Sequence, residues 1–431
     1  MKLIVAAVLS IVTTVLAQPV LITGNTTVGP TATTITPTAG GPPVALATAD
    51  ITVGGSGVLT MSGRHSITSL TLSGTSTLRH ASNAVYDYGD AVVNGLNLSM
   101  TGAMTVAATA TVNLDGLGFA GASGPGAGTD APSCCYGGGG GHGGTGATFS
   151  IGYAGGTTYG SFAAPDQPGS GGGHRNGSDG GPGGGVIRLN VNGVLTVNGA
   201  IRANGLAGTQ QVTGSGAGGS IWITANSVAG SGSITAQGGT GFDRTPGGGG
   251  RIAVYSCFNT LPPQNVTAIG PGTAGEGTVY IARAGGEILP LIDAICGGST
   301  AELTVRAGGV GTLTYQWRRN GATITDGPQP SGAAISGTNA TTLRITGFTP
   351  AEDGDYDVVV TAQCGTATSN AITARICRSD VDCDGDSDSD DIVNFFAEWE
   401  QSNAAADVDF DGDTDSDDII VFFAAFESGC I

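Results

Sequence analysis

Apolar and polar positions in the first two thirds of the chain alternate in short runs. Val58-Leu59-Thr60-Met61, Ile67-Thr68-Ser69-Leu70-Thr71-Leu72, Met104-Thr105-Val106 and Ala110-Thr111-Val112-Asn113-Leu114 show the pattern. A period of two over so few residues, closed by glycine or serine, predicts half-buried strands. From about residue 184 the alternation is organised into longer units. A glycine cluster leads into a strand, and a second strand ends in glycine. Gly184–Asn190 followed by Leu195–Gly205 is one unit, and Gly219–Thr224 followed by Gly232–Gly238 is another. A third begins at Gly250-Arg251-Ile252 and a partial one at Gly277-Thr278-Val279. The strand starts Val186, Ile221, Ile252 and Val279 lie 35, 31 and 27 residues apart. Recurrence at this length predicts a solenoid in which each unit buries its apolar face on its neighbours. No helical period occurs before residue 385.

Residues 18–286 are therefore expected to form an all-β solenoid, with a parallel β-helix as the first expectation and a β-sandwich or prism as alternatives. The stretch resembles, in composition, the glycine-rich solenoid regions of large bacterial surface and secreted proteins. Glycine runs such as Gly181–Gly185 are expected as its turns, and His142 and His174 sit inside such runs. No helix follows these runs, which argues against phosphate-binding loops.

The pattern changes after residue 288. Leu313–Gly321 is a strand with a central tryptophan, Trp317, running into a turn. Thr342-Leu343-Arg344-Ile345 alternates, and Glu352-Asp353-Gly354-Asp355-Tyr356 precedes Val358-Val359-Val360. Residues 288–376 resemble an immunoglobulin-like domain, with Trp317 as the core tryptophan and Tyr356 as the corner tyrosine. The inter-sheet cysteines that the resemblance implies would fall near Val305 and at Val358, and both positions are valine. Packing is expected to replace the bridge. Cys296 and Cys364 flank the domain and are expected to pair, which closes a long loop and contributes about 4 kcal/mol by the chain-entropy estimate.

Charge is concentrated at the other end. Residues 377–431 hold 17 acidic residues against one arginine, Arg378, so they carry 16 of the 19 net negative charges. The acids form two matched ladders 27 residues apart. One is Asp380, Asp382, Asp384, Asp386, Asp388 and Asp391 around Gly385, and the other is Asp407, Asp409, Asp411, Asp413, Asp415 and Asp418 around Gly412. Oxygen donors at loop positions 1, 3, 5, 7, 9 and 12, with glycine at 6, are the spacing that wraps a loop around Ca²⁺. Two ions per chain are expected, with positions 7 ligating through backbone carbonyls. A helix follows each loop: Ile392, Phe395, Phe396 and Trp399, then Ile419, Phe422, Phe423 and Phe426, recur at i, i+3, i+4 and i+7. No helix precedes either loop, and aspartate stands where an EF-hand usually has glutamate. Residues 380–427 thus resemble a dockerin of the first type. The resemblance implies docking to a cohesin-like partner, with loop positions 10 and 11 helping to choose it. Those are Ser389 and Asp390 in one copy and Ser416 and Asp417 in the other. Agreement between the copies suits the family's two binding orientations. A solvated acidic tail is the plain alternative, and the duplicated spacing with its apolar helix faces argues against it. Without metal the crowded carboxylates repel, so the module is expected to be largely unfolded until Ca²⁺ binds.

Compartment follows from the N-terminus and the cysteines. Lys2, the apolar run Leu3–Leu16 and Val15-Leu16-Ala17 fit a secretory signal over residues 1–17, cleaved before Gln18. The run is too short to span a bilayer comfortably, and an uncleaved anchor is the alternative. With a signal, the eight cysteines are expected in disulfides. Cys430 is expected to pair with Cys377 or Cys383, while Cys134-Cys135 could bridge each other or reach Cys257. Lys2 is the only lysine, which excludes lysine-based phosphate or Schiff-base chemistry in the mature chain. Net charge of −19 argues against nucleic acid.

The expected fold is mainly β and multidomain: a signal, the solenoid, an immunoglobulin-like sandwich over 288–376 and a small α module over 377–431. The expected function is a secreted binding or structural protein docked through calcium in a polysaccharide-related setting, with a polysaccharide as a possible ligand. The alternative is a glycoside hydrolase or lyase acting on the solenoid. That would need paired carboxylates, and the candidates are Asp87, Asp90, Asp115, Asp130, Asp166, Asp179, Asp243, Glu276 and Glu287. No catalytic residue is assigned. Tyr136, Tyr153, Tyr159 and Phe162 could form a sugar-stacking platform or pack on the solenoid wall.

Overall fold

A computed structural model describes residues 17–38, 40–81, 95–131, 135–149, 153–175, 178–210, 212–240, 245–289 and 295–428. The signal segment before Ala17, Cys134, Cys430, Asp87, Asp90 and Asp243 lie outside the described residues. The chain divides into two compact units. The first comprises 1–159, 166–252 and 258–279, and the second 160–165, 253–257 and 280–431.

Two parallel sheets build the first unit. One orders Gln18–Ile22, Ala49–Val53, Ser69–Leu72, Met104–Val106, Val186–Val197 and Ser220–Ala229. The other runs from Asn25–Val28 through Val58–Met61, Thr77–Arg79, Thr111–Asn113, Ala200–Arg202 and Ser233–Thr235 to Val266–Thr267. The alternation in the sequence explains the register. Val20, Ile51, Leu70, Met104, Leu195 and Val228 stack strand upon strand, and all are buried. Leu59, Leu78, Val112, Ile201, Ile234 and Val266 do the same in the second sheet. Ile221 pairs with Ile187 rather than Val186, so the repeat there is 34 residues rather than 35.

The glycine runs are not turns. Gly181, Gly183 and Gly184 are extended and donate to the carbonyls of Gly214, Phe119 and Ala217 in neighbouring segments. The partners follow a three-residue rule. Gly137 and Gly140 donate to Val212 and Ser215, Gly138 and Gly141 to Thr129 and Gly126, and Ser215 and Gly218 to Thr245 and Gly248. Every third N–H thus faces the same neighbour, which is the symmetry of an extended helix of three residues per turn. Such segments pack backbone against backbone. A Cβ on Gly183 would overlap the Gly169 carbonyl oxygen, and one on Gly139 that of Pro246. Space, not backbone conformation, demands glycine here, since neither has a positive φ. His142 is fully buried in this layer, with Nδ1 2.8 Å from the Gly218 carbonyl and its ring 4.7 Å from that of Tyr159.

In the second unit two antiparallel sheets form a sandwich. Ala284–Ile288, Thr300–Gly309, Thr342–Thr346, Ala334–Ser336 and Gly327–Pro328 make one. Ala322–Thr323, Thr314–Arg319, Gly354–Ala362 and Gly365–Thr368 make the other, with Ile372–Ala374 also paired to Gly354–Ala362. Trp317 is fully buried between them and donates to the Ala340 carbonyl at 2.9 Å. The Tyr356 hydroxyl donates to the Glu352 carbonyl at 2.6 Å, which is the corner expected for this fold. Val305 and Val358 are buried in the same core, so packing does replace the inter-sheet bridge.

The expected Cys296–Cys364 disulfide is wrong. Cys257 pairs with Cys364, and Cys296 with Cys383. Strand length is the reason. Cys364 follows the far end of nine-residue Gly354–Ala362, about 30 Å from its start at strand rise. Cys296 follows Ile295, which bridges Ile376 near the Gly354–Ala374 pair at the other end of that strand. A disulfide tolerates Cα atoms only about 4–7 Å apart, and the observed pairs stand at 5.1 and 5.8 Å. Cys383 is therefore not the partner of Cys430. Cys135 and Cys377 are disulfide-bonded as well, and Cys257 is not a partner of either Cys134 or Cys135.

Candidate metal centre

Two helices, α1 (Ser389–Trp399) and α2 (Ser416–Ser428), follow the two aspartate loops. Asp388 caps α1: its carboxylate accepts from the Asp390 N–H at 2.8 Å, while Asp391 reaches back to the Asp388 N–H at 2.9 Å. This reciprocal capping satisfies the free donors of the first turn. Asp415, Asp417 and Asp418 repeat it at 2.8 and 2.9 Å.

Asp391 and Asp418 are the hubs, both almost fully buried. The other oxygen of Asp391 accepts from the N–H groups of Val381 and Asp382 at 2.7 and 3.3 Å. Asp418 accepts from Val408 and Asp409 at 2.8 and 3.2 Å. Asp380 accepts from Asp384, and Asp407 from Asp411, each at 3.2 Å. The two loops therefore fold contact for contact. Gly385 and Gly412 share a φ of 100°, which glycine alone adopts readily. Cys383 and Phe410, both at loop position 4, share a left-handed φ of 63° and 64°.

Carboxylate oxygens converge in four groups: Asp380, Asp382 and Asp391; Asp386, Asp388 and Asp391; Asp407, Asp409 and Asp418; Asp413, Asp415 and Asp418. Within each group the atoms lie within 4.8 Å of one another, close enough to hold a metal ion. Ten of the twelve aspartates singled out by spacing are thereby brought together. Asp384 and Asp411 are not in these groups, and their carboxylates accept from Asp386 and Asp413 at 3.3 and 3.1 Å. The crowding has an electrostatic signature. Burial and then Asp391 raise the Asp380 pKa, and Asp384 raises that of Asp386. Asp411 and then Asp415 do the same to Asp413. A donor set made only of hard oxygens, carrying mutual repulsion that a cation would relieve, fits a hard divalent ion.

The helix faces differ in part from the expected ones. Phe395 and Phe422 are fully buried and stacked, with centroids 4.3 Å apart and planes at 12°. Ile392, Trp399, Ile419 and Phe426 pack around them. Phe396 and Phe423 lie outside that core at 37% and 36% exposure, and Val393 and Ile420 are 66% and 67% exposed.

Of the six candidate carboxylates among the described residues, three make structural contacts. Asp115 pairs with Arg202 at 3.2 Å and accepts from the Asn204 N–H. Asp130 accepts from the His174 N–H, and Glu287 from Ser161 and Phe162. Of the four aromatics, Tyr136 packs on Phe149, Tyr159 on His142 and Phe162 on Tyr280.

Residues 294–373 match the model of the immunoglobulin I-set domain. With the sandwich, Trp317 and the tyrosine corner, this establishes an immunoglobulin-like domain within a mainly-β chain. Among solved structures, titin M4 in a trigonal form is 18% identical, covers 21% of this chain and 94% of its own, and has a TM-score of 0.18. The Dscam1 Ig7 domain, isoform 9, is 22% identical, covers 21% of this chain and 99% of its own, and also scores 0.18. No curated protein matches the chain. Among the described residues no helix is long and apolar enough to cross a membrane. The immunoglobulin-like domain and the disulfides are compatible with an extracellular protein.

Proposed function

We propose that this chain is a secreted binding protein whose C-terminal segment is a dockerin-type module, loaded with two Ca²⁺ ions and docking to a cohesin-like partner. The observation that carries the reading is the contact-for-contact identity of the two aspartate loops, each closed by a buried aspartate at position 12. Asp380, Asp382, Asp386, Asp388 and Asp391 would hold one ion, and Asp407, Asp409, Asp413, Asp415 and Asp418 the other. Calcium neutralises the crowded carboxylates and so lets the module fold. The helices do the recognition. Val393 with Phe396, and Ile420 with Phe423, form matched exposed pairs, and apolar side chains of this size left in water mark a partner surface.

Residues 18–286 are a β-solenoid body in this reading, supported by the continuous apolar stacks and the parallel register. Its task in this reading is binding, with Asp115 and Asp130 committed to structural contacts. The immunoglobulin-like domain lies between the body and the dock in the sequence. Capture on an immobilised cohesin panel tests the docking. Retention in calcium that is abolished by chelator is expected. Retention that ignores chelator contradicts the proposal.

A further inference from the structure

One face of the first unit carries two arginines that make no hydrogen bond or ion pair with a described residue. In the parallel ladder Gly63–Ile67, Leu96–Met100, Val186–Val197, Ser220–Ala229, register aligns Arg64, Asn97, Arg188 and Trp222 in one row, exposed at Arg64 and buried at Trp222. Ser99 and Asn190 belong to the next row, and Asn190 donates to both Asn97 and Ser99 at 3.3 Å. Arg188 lies flat over Trp222, its Cζ 3.7 Å from the ring centroid. That contact holds the guanidinium against the sheet. Its Nε is buried and has no hydrogen-bond partner. Neither Arg64 nor Arg188 makes a hydrogen bond or ion pair with a described residue. Burial and the like charge of Arg64 both depress the Arg188 pKa, and the charge of Asp166 opposes them.

The row is anomalous in a chain of net charge −19. Two arginines are held two rungs apart, about 10 Å at about 4.8 Å per rung, with amide and hydroxyl groups between and beside them. A guanidinium is weakly hydrated and presents a planar fork that matches a carboxylate. Two forks at this distance suit carboxylates repeating along an extended chain, about one disaccharide apart, while Asn97, Asn190 and Ser99 suit sugar hydroxyls.

We propose that Arg64, Asn97 and Arg188 form a binding strip for an acidic polysaccharide of the polyuronate class, laid across the rungs. This names a ligand class for the binding task proposed for residues 18–286, rests on that reading, and is independent of the calcium module. Affinity electrophoresis of the full mature chain in gels containing polygalacturonate, a sulfated galactan or a neutral glucan tests it. Chelator present throughout keeps the polyuronate from gelling and the docking module from contributing. Retardation by polygalacturonate alone is expected, weakening as salt is raised. Arg64→Glu, at an exposed position, should abolish it, and Arg188→Gln should weaken it about tenfold. Circular dichroism of both variants checks that the fold is kept. Absence of retardation, equal retardation by the neutral glucan, preference for the sulfated one, or unchanged binding by Arg64→Glu overturns the proposal. None of these results bears on calcium uptake, so the two readings fail separately.

Discussion

Single side chains decide much of this molecule's behaviour. Asp391 and Asp418 serve three demands at once: they cap a helix, tie down their loop's N–H groups and complete an oxygen cluster. The Tyr356 hydroxyl is a simpler case. Tyr356→Phe leaves the Glu352 carbonyl without its donor and should cost about 1–3 kcal/mol in chemical denaturation. His142 gives the first unit a pH response. Burial, and then the charge of Arg251, hold its pKa down to about 3. The folded state therefore refuses a proton that the unfolded state accepts below about pH 6.5. Stability present above that pH is lost progressively on acidification towards 3. Unfolding measured between pH 6.5 and 5 should show proton uptake that His142→Gln reduces by up to about one proton, with buried His80, whose pKa burial also lowers, contributing the rest. The aspartates were legible in the sequence because a loop around a cation has fixed spacing. Arg64 and Arg188 were not, since they are 124 positions apart and only the register of two intervening pairings aligns them.

At the scale of elements, strands and helices followed from periodicity, and the glycine segments did not. Alternation over Met104–Val106 or Thr111–Asn113 yields a strand because the inward positions stack on the neighbouring rung. A glycine run has no side-chain pattern, so its extended threefold packing leaves no periodic trace. What it leaves is intolerance. Gly183→Ala should prevent folding of the first unit or destabilise it severely, since no flexible side chain can move aside. Gly29→Ala, with nothing within 4 Å, should be close to neutral. Soluble yield and thermal melting of the pair check the contrast. For the helices, packing of Phe395 on Phe422 holds the duplicated module together. Phe422→Ala should cost about 3–5 kcal/mol. Chelation should remove most of the module's helical circular dichroism, and an unchanged signal would show that the helices fold without metal.

For the whole molecule the cysteines matter most, and the sequence misled about them. Flanking positions in the chain suggested Cys296–Cys364, but a nine-residue strand sets their ends too far apart. Cys296–Cys383 instead ties the sandwich to the first aspartate loop, and Cys257–Cys364 closes 107 residues. Non-reducing peptide mapping should recover both links. Removing the second by paired Cys257→Ser and Cys364→Ser should cost about 4 kcal/mol in the chain-entropy picture. The domain resemblance was readable because tryptophan, corner tyrosine and turn residues occur in order within a short stretch. The calcium reading depends on the same kind of local order, and isothermal calorimetry of the full mature chain tests it most directly. Titration at millimolar calcium is expected to show two ions per chain, falling to one with Asp391→Ala or Asp418→Ala. No stoichiometric uptake, or two sites surviving in either variant, would contradict the account.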